Sequence, residues 1–230
     1  MIGCAFCWLE DGVRSAAENM AVDEYLTQTL EANDRSKAQQ KKVQGVLRTY
    51  DWAEPVISFG YFDRVKAVRE GYPAMPLMRR WTGGGRVEHR GDFPFSLVIP
   101  GNFSPGNVRK IYHWIHSRVL QALQEVKISG DLKSGNESGA DCFQSPVESD
   151  IILTPTGEKE KKIVGGAMRR LRHGILYQGT IQQVALPQGF AAILAKHIGC
   201  IDTWESPLDE ENIASLVTDR YGKSEWLELR

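Results

Sequence analysis

The stretch "RRWTGGGRVEHRGDFPFSLVIP", residues 79–100, decides the fold. A short strand around Leu77–Trp81 runs into three consecutive glycines. His89 follows four residues after the last of them, and "FPFSLVIP" (93–100) reads as a strand that Pro100 and Gly101 stop. Gly83, Gly84 and Gly85 permit positive φ and let a ligand approach backbone without a Cβ in the way. Successive N–H groups there can face an anion or a carbonyl oxygen, and the same glycines also suit a plain turn between strands. Neither GxxxxGK[ST] nor GxGxxG is present, so a P-loop and a dinucleotide fingerprint are excluded. Arg79 and Arg80 offer cations for a phosphate or carboxylate, or simply a solvated strand end.

Outward from this stretch the chain alternates strands and helices. Ser15 and Glu18 form an S-x-x-E capping box ahead of Val22, Leu26 and Leu30, predicting a helix of about 15 residues. Residues 31–45 read as a helix end and an exposed loop. "VLRTY" (46–50) and "VISFGYF" (56–62) read as strands. Ile111, Ile115, Val119, Ala122 and Val126 make one apolar stripe, predicting a helix over 107–126. A Gly/Ser-rich connection (129–141) leads to a hairpin, with arms 150–154 and 161–167 around "PTGEKE". Residues 175–181 read as a further strand, and helices at 188–198 and 209–220 close the chain. Strands cluster with few intervening helices, which predicts an α+β fold with a central mixed or antiparallel sheet flanked by helices. No linker divides the sequence, so one domain over 1–230 is expected.

Composition narrows the function. Lys plus Arg number 28 against 29 Asp plus Glu, a net charge of −1, so bulk charge gives no reason to expect nucleic acid or a membrane surface as partner. No run of 18 apolar residues and no signal peptide is read, and four cysteines are too few for a disulfide scaffold; a cytoplasmic protein is expected. His113 and His116 stand three apart, and Cys4 and Cys7 form C-x-x-C, but neither has further ligands at a recognisable spacing, so no metal is expected. Cys142 opens "CFQSPVESDIIL". It is either a buried, inert thiol or a nucleophile activated by a nearby cation, and Lys162, on the return arm of the hairpin, is the candidate cation. Gly165 and Gly166 weaken that arm unless a ligand or another backbone lies close.

Four segments in order resemble the lipoate–protein ligase, octanoyltransferase and biotin ligase superfamily. "ENMAVDEYL" resembles the family's "NMALDEAL", and "LRTYDWAEPVISFGYF" its "LRFYxWxPPxxSLGxxQ". "RRWTGGGRVEHRGDFPFSLVIP" is similar to "RRxTGGGAVxHxxGxxxYS", and "KKIVGGAMRRLRHGILYQGTI" to "xKIxGSAQxRxxxxxLxHGSI". The likeness spans roughly residues 15–220. Biotin ligases carry a GRGRxxRxW-type loop instead, so lipoyl chemistry is the implied branch. The resemblance implies a biotin/lipoate ligase catalytic-domain fold. Arg80, Gly83, Gly84, Gly85 and His89 would line an acyl pocket, with Arg79, Gly165, Gly166, Gly179 and Thr180 also at the substrate, and Lys162 would contact the reacting carbonyl or phosphate.

"DCFQSPVESDIIL" further resembles the "ACFxAPxxYEL" of the cysteine octanoyltransferases, with Cys142, Phe143, Pro146 and Asp150 at matching places. The ATP-dependent ligases have an Asn-Asp pair where Ser149 precedes Asp150, and an extra C-terminal domain that is not expected here. The implied reaction is acyl transfer through a Cys142 thioester, without ATP or metal. Octanoyl (or lipoyl) would pass from acyl carrier protein to a lysine of a lipoyl domain or of the glycine-cleavage H protein. Backbone N–H groups of Gly165–Gly166 or the triple glycine would hold the oxyanion. The rivals are a ligase catalytic domain using ATP and Mg, an amidotransferase between proteins, and a degenerate acyl- or lipoyl-domain-binding protein. The departures from the family pattern are Arg86 after the glycines, the tail "EHRGDF", Gln178 for the histidine of HG[ST] and Gly166 for serine; Arg86 and Gln178 motivate the binding-protein rival, and Arg79, Arg80, Arg86 and Lys162 would suit the adenylate phosphate of the ligase rival.

Overall fold

A computed structural model describes residues 6–35, 45–101, 107–135, 147–154, 160–172, 174–205 and 207–229. The strands are β1 (Phe6–Arg14), β2 (Gly45–Trp52), β3 (Val56–Phe59), β4 (Leu77–Arg79), β5 (Val87–His89) and β6 (Phe93–Pro100), then β7 (Asp131–Leu132), β8 (Ile151–Leu153), β9 (Lys161–Arg170), β10 (Gly174–Ile181) and β11 (Cys200–Thr203). The helices are α1 (Ala16–Arg35), α2 (Val65–Gly71), α3 (Val108–Glu125), α4 (Phe190–Ile198), α5 (Glu210–Leu216), continued by a π-helical turn Val217–Tyr221, and α6 (Ser224–Leu227).

Eight strands form one sheet in the order β11-β1-β2-β6-β10-β9-β8-β7, and a small sheet pairs β4-β3-β5. β1 runs parallel to both β2 and β11, whereas every pairing from β2 to β7 is antiparallel, so the sheet is mixed as expected. Alternation along each strand splits the core into two faces. Leu47, Leu97, Ile99 and Tyr177 point to the layer of α3 and α4, where Ile111, Ile115, Val119 and Leu194 pack. Val46, Val98 and Leu176 point the other way, to Met20, Val22 and Leu26 of α1 and Ile213 of α5. Each such aliphatic side chain withdrawn from water stabilises the fold by about 1.5–3 kcal/mol. The α1 capping box forms as read: the Glu18 amide donates to Ser15 Oγ at 3.3 Å and the Ser15 amide to Glu18 Oε2 at 2.9 Å. Among the described residues no helix is long and apolar enough to cross a membrane.

One strand was not read from the sequence and one expectation needs correction. Phe6 to Arg14 is an inner strand between β11 and β2, with Phe6, Cys7 and Leu9 buried. Its alternation is hidden because Asp11, a charge, points inward. The strand expected over 56–62 stops at Phe59, because a Cβ at Gly60 would overlap the Gly84 carbonyl and the chain turns there. α2 and β11 had no periodic signal long enough to read.

Asp11 is buried because Arg48 is. Arg48, fully buried, donates Nε to Asp11 Oδ2 at 2.8 Å, Nη1 to Asp23 Oδ1 at 2.9 Å and Nη2 to Asn19 Oδ1 at 2.6 Å. Cross-strand register places Arg48, Ser96 and Gln178 in one row over β2, β6 and β10. All three reach Asp23 of α1: Ser96 Oγ donates to Oδ1 at 2.7 Å and Gln178 Nε2 to Oδ2 at 2.7 Å. On the opposite face His116 Nε2 sits 2.7 Å from the Tyr177 hydroxyl, and both side chains are fully buried. Burial pushes the His116 imidazole down to about 4, with Lys162 and His113 adding to the shift and Asp150 opposing it.

Arg48→Met leaves Asp11 and Asp23 buried without their cation, and urea unfolding is expected to show a loss of about 3–5 kcal/mol. His116 binds its proton more weakly folded than unfolded, where its pKa is about 6.5. Its contribution is therefore complete above that pH and is lost as pH falls toward 4, by about 3 kcal/mol. Unfolding free energies measured at pH 7 and pH 4 are expected to differ by that much more for the wild type than for His116→Gln.

Candidate active site

The two Gly-rich segments meet. A cleft on the α1 side of the sheet is lined by Met20, Tyr50, Trp52, Val87, Arg80, Ser58 and His89, and along its sheet wall by Gly165, Gly166, Ala167, Gln178, Gly179 and Thr180. A second, more open groove runs beside it from the first turn of α3 (Val108, Arg109, Lys110) past Gly84, Tyr112, His113 and Ser149 to Gly166, Ala167 and Met168. Gly166 and Ala167 belong to both, so groove and cleft join at the middle of β9.

The triple glycine wraps an arginine. Arg80 Nη2 donates to the Gly83 and Gly85 carbonyls at 3.0 and 2.7 Å, and Nη1 donates to Ser58 Oγ at 2.7 Å. Gly84 has φ +84°, the left-handed region that glycine adopts freely. Ser58 and His89 are diagonal neighbours on the antiparallel β3–β5 pair, and Ser58 Oγ lies 2.6 Å from His89 Nε2. Gly91, with φ +69°, turns the chain so that Asp92 returns to His89, Oδ2 to Nδ1 2.6 Å, and the Thr180 hydroxyl donates to the same Oδ2 at 2.5 Å. With Asp92 accepting from Nδ1, the proton pattern Ser58–His89–Asp92 is that of a relay. Ser58 is fully buried and its oxygen already takes the Arg80 N–H, so this chain of bonds orders Arg80 rather than presenting a serine nucleophile. Trp52 covers His89, ring centroids 4.4 Å apart.

Lys162 lies on β9 with 4% of its surface exposed, and Nζ is 2.7 Å from Oδ2 of the fully buried Asp150. The pairing of β8 with β9 is irregular: Ile151 faces Val164 while Ile152 faces Lys162. That bulge breaks the alternation and lays Lys162 across Gly165, where a Cβ would overlap its Cε and Nζ. Gly166 and Gly179, cross-strand partners, leave room for Tyr177, whose ring a Cβ at either would strike. The glycines of this strand therefore accommodate the protein's own side chains as well as a cleft.

Most of the residues singled out from sequence come together here: Arg80, His89, Gly165, Gly166, Gly179 and Thr180 line the cleft, Gly84 the groove, and Gly83 and Gly85 hold Arg80. Arg79 does not. It is buried beneath β4, donating to the carbonyls of Tyr61, Asp63, Trp226 and Leu227, and ties α6 to the fold. The Gly166 amide, expected among oxyanion donors, is already engaged, donating to the Tyr112 hydroxyl at 3.1 Å. Arg86 lines neither cleft nor groove; its guanidinium lies against Gly71 of α2. Gln178, in place of a histidine, bridges Asp23 and the Thr82 hydroxyl, which donates to Oε1 at 2.7 Å.

Cys142, with Phe143 and Pro146, lies outside the described residues, as does Cys4. Cys7 is buried on β1, and burial together with Cys7 pushes the Cys200 thiol up to about 12, so Cys200 is not a reactive thiolate. Among the described residues no group of three or more His, Cys, Asp or Glu side chains is placed to hold a metal ion. Sequence reading missed Met20, Tyr50, Trp52, Ser58, Asp92 and Tyr112. Met20, Tyr50, Trp52 and Ser58 do stand at matching positions of the motifs quoted above, a signal that could have found them; Asp92 and Tyr112 carry none, since a turn and α3 bring them in.

The sequence and the fold have relatives. Two curated octanoyltransferases named LipM are similar. That of Kyrpidia tusciae is 31% identical over 204 residues, covering 81% of this chain and 69% of that protein. That of Carboxydothermus hydrogenoformans is 33% identical over 176 residues, covering 73% and 61%. The bipartite lipoate protein ligase of Thermoplasma acidophilum, studied with its E2 lipoyl domain, superposes with a TM-score of 0.73 at 17% identity, over 99% of this chain and 98% of that one. Residues 15–206 match the family model of the lipoyl protein ligase A/B catalytic domain, and the chain belongs to that family.

Proposed function

We propose that this protein transfers an octanoyl (or lipoyl) group to a lysine of a lipoyl domain or of the glycine-cleavage H protein, through a thioester on Cys142. The observation that carries the reading is the buried Lys162–Asp150 pair, 2.7 Å apart, with the Lys162 end lying against Gly165 of the cleft wall and Asp150 next in sequence to Ser149 of the groove. A buried ammonium held by a carboxylate is a fixed positive charge in a low-dielectric place, suited to a developing oxyanion or a thiolate. The similarity of residues 142–153 to the cysteine octanoyltransferases, and the octanoyltransferase relatives, favour the thioester route.

The apolar part of the cleft, Met20, Tyr50, Trp52 and Val87, takes the acyl chain, and Arg80 and the triple glycine close over it. The Cys142 thiolate attacks the octanoyl thioester of acyl carrier protein, and the carrier thiol leaves. The ε-amine of the acceptor lysine then attacks the acyl-enzyme, forming the amide and releasing Cys142. A thioester is already activated, so neither step consumes ATP.

Incubation with octanoyl-acyl carrier protein without ATP is expected to add one octanoyl group to the wild type, hydroxylamine-labile, and none to Cys142→Ala, by intact mass spectrometry. No adduct, with lipoyl-domain acylation appearing only on addition of ATP, Mg and lipoate, would move the function to the ligase. Gly165→Ala places a methyl where the flexible end of Lys162 lies, so that the fold persists and the ammonium must shift. Its transfer rate is expected to fall at least about tenfold with a melting temperature within a few degrees of wild type.

A further inference from the structure

Asp150 and the Gly166 backbone are joined by one hydroxyl. Tyr112 of α3 donates to Asp150 Oδ1 at 2.5 Å, and its oxygen accepts the Gly166 N–H at 3.1 Å. The Gly166 carbonyl is farther, at 3.2 Å, so the single phenol proton goes to the carboxylate. Asp150 Oδ2 meanwhile takes Lys162 Nζ and the Val147 amide, each at 2.7 Å. The last β8 pairing of β9 is at Val164, so Gly166, two residues on, is beyond the reach of that strand and Tyr112 meets it instead. The Tyr112 ring is itself fixed by His116, centroids 4.1 Å apart. Burial, with Asp150 beside it, pushes the phenol well above its ordinary pKa, so it stays a donor at any working pH.

We infer that Tyr112 is a positioning residue of the transfer reaction: its hydroxyl locks Asp150 to the middle of β9 and thereby fixes the Lys162 ammonium against Gly165 of the cleft wall. This rests on the role given to Lys162 above. Among the described residues Asp150 takes Tyr112 of α3, the Val147 amide and Lys162 of β9, and the Tyr112 hydroxyl also bonds the β9 backbone at Gly166. Without it Asp150 loses its link to the middle of β9 and the pair its orientation. A shift of about 1 Å in a reacting group costs on the order of a hundredfold in rate.

Tyr112→Phe keeps the ring and removes the hydroxyl. Single-turnover acylation by octanoyl-acyl carrier protein is expected to slow at least tenfold, with KM within threefold of wild type. The ¹⁵N signal of the Lys162 ammonium is expected to be sharp in the wild type and to broaden or vanish in Tyr112→Phe through faster proton exchange, and exchange at the Gly166 amide is expected to rise at least tenfold. Wild-type rates, or equal losses in kcat and KM with a collapsed melting temperature, would overturn the inference. If the wild type transfers no octanoyl group at all, the reading of the reaction fails. The Lys162 and Gly166 signals then decide alone: unchanged in Tyr112→Phe, they overturn the positioning role.

Discussion

A buried arginine needs its charge answered on every side, and the way Arg48 is answered sets the architecture around it. Its guanidinium takes Asp11 from β1, Asn19 and Asp23 from α1, and lies over the Tyr50 ring at 4.1 Å. An unpaired charge in that place would cost several kcal/mol, so these bonds tie β1, β2 and α1 to one another. Asp23 extends the constraint. It also accepts from Ser96 and Gln178, so the helix is registered against three neighbouring strands by one carboxylate. Gln178 in turn accepts from Thr82, the residue before the triple glycine. An unbroken line of hydrogen bonds thus runs from the N-terminal strand to the triple-glycine loop that holds Arg80.

The cleft is the product of two such buried polar systems on opposite faces of the sheet. On the α1 face, Asp23, Gln178 and Thr82 hold the glycine segment, and Asp92, His89 and Ser58 hold the arginine inside it. On the α3 face, Asp150 collects Lys162 and Tyr112. Strands β9 and β10 lie between, and their glycines let Lys162 and Tyr177 lie flat against backbone. Gln178 for histidine is then intelligible: an amide joins an acceptor and a donor in one side chain, as needed to connect Thr82 with Asp23.

Much of this was legible in the residues. The apolar stripe of α3, the capping box of α1 and the hairpin arms β8 and β9 follow from periodicity and local chemistry, because helix and strand repeats are properties of short segments. Arg80, His89, Gly165, Gly166 and Thr180 were also identified, through the resemblance of their motifs. Arg79 was misjudged because adjacent residues on a strand face opposite ways: Arg80 enters the cleft and Arg79 goes beneath the small sheet to α6. β1 was missed because its inward Asp11 is apolar-like only in the company of Arg48, some forty residues away.

The sequence by itself determined most of the longer elements, the α+β class and the motifs that mark the family, since each depends on neighbours within about a dozen residues. Tertiary structure alone decided which charges are buried together. Asp23 with Arg48, Asp150 with Lys162 and Tyr112, and Asp92 with His89 and Thr180 are joined by register, by a bulge in β9 and by a positive-φ turn at Gly91. A buried charge has no local signature, because its stability comes from groups brought to it by the fold. The chemistry of this chain depends on that non-local pairing.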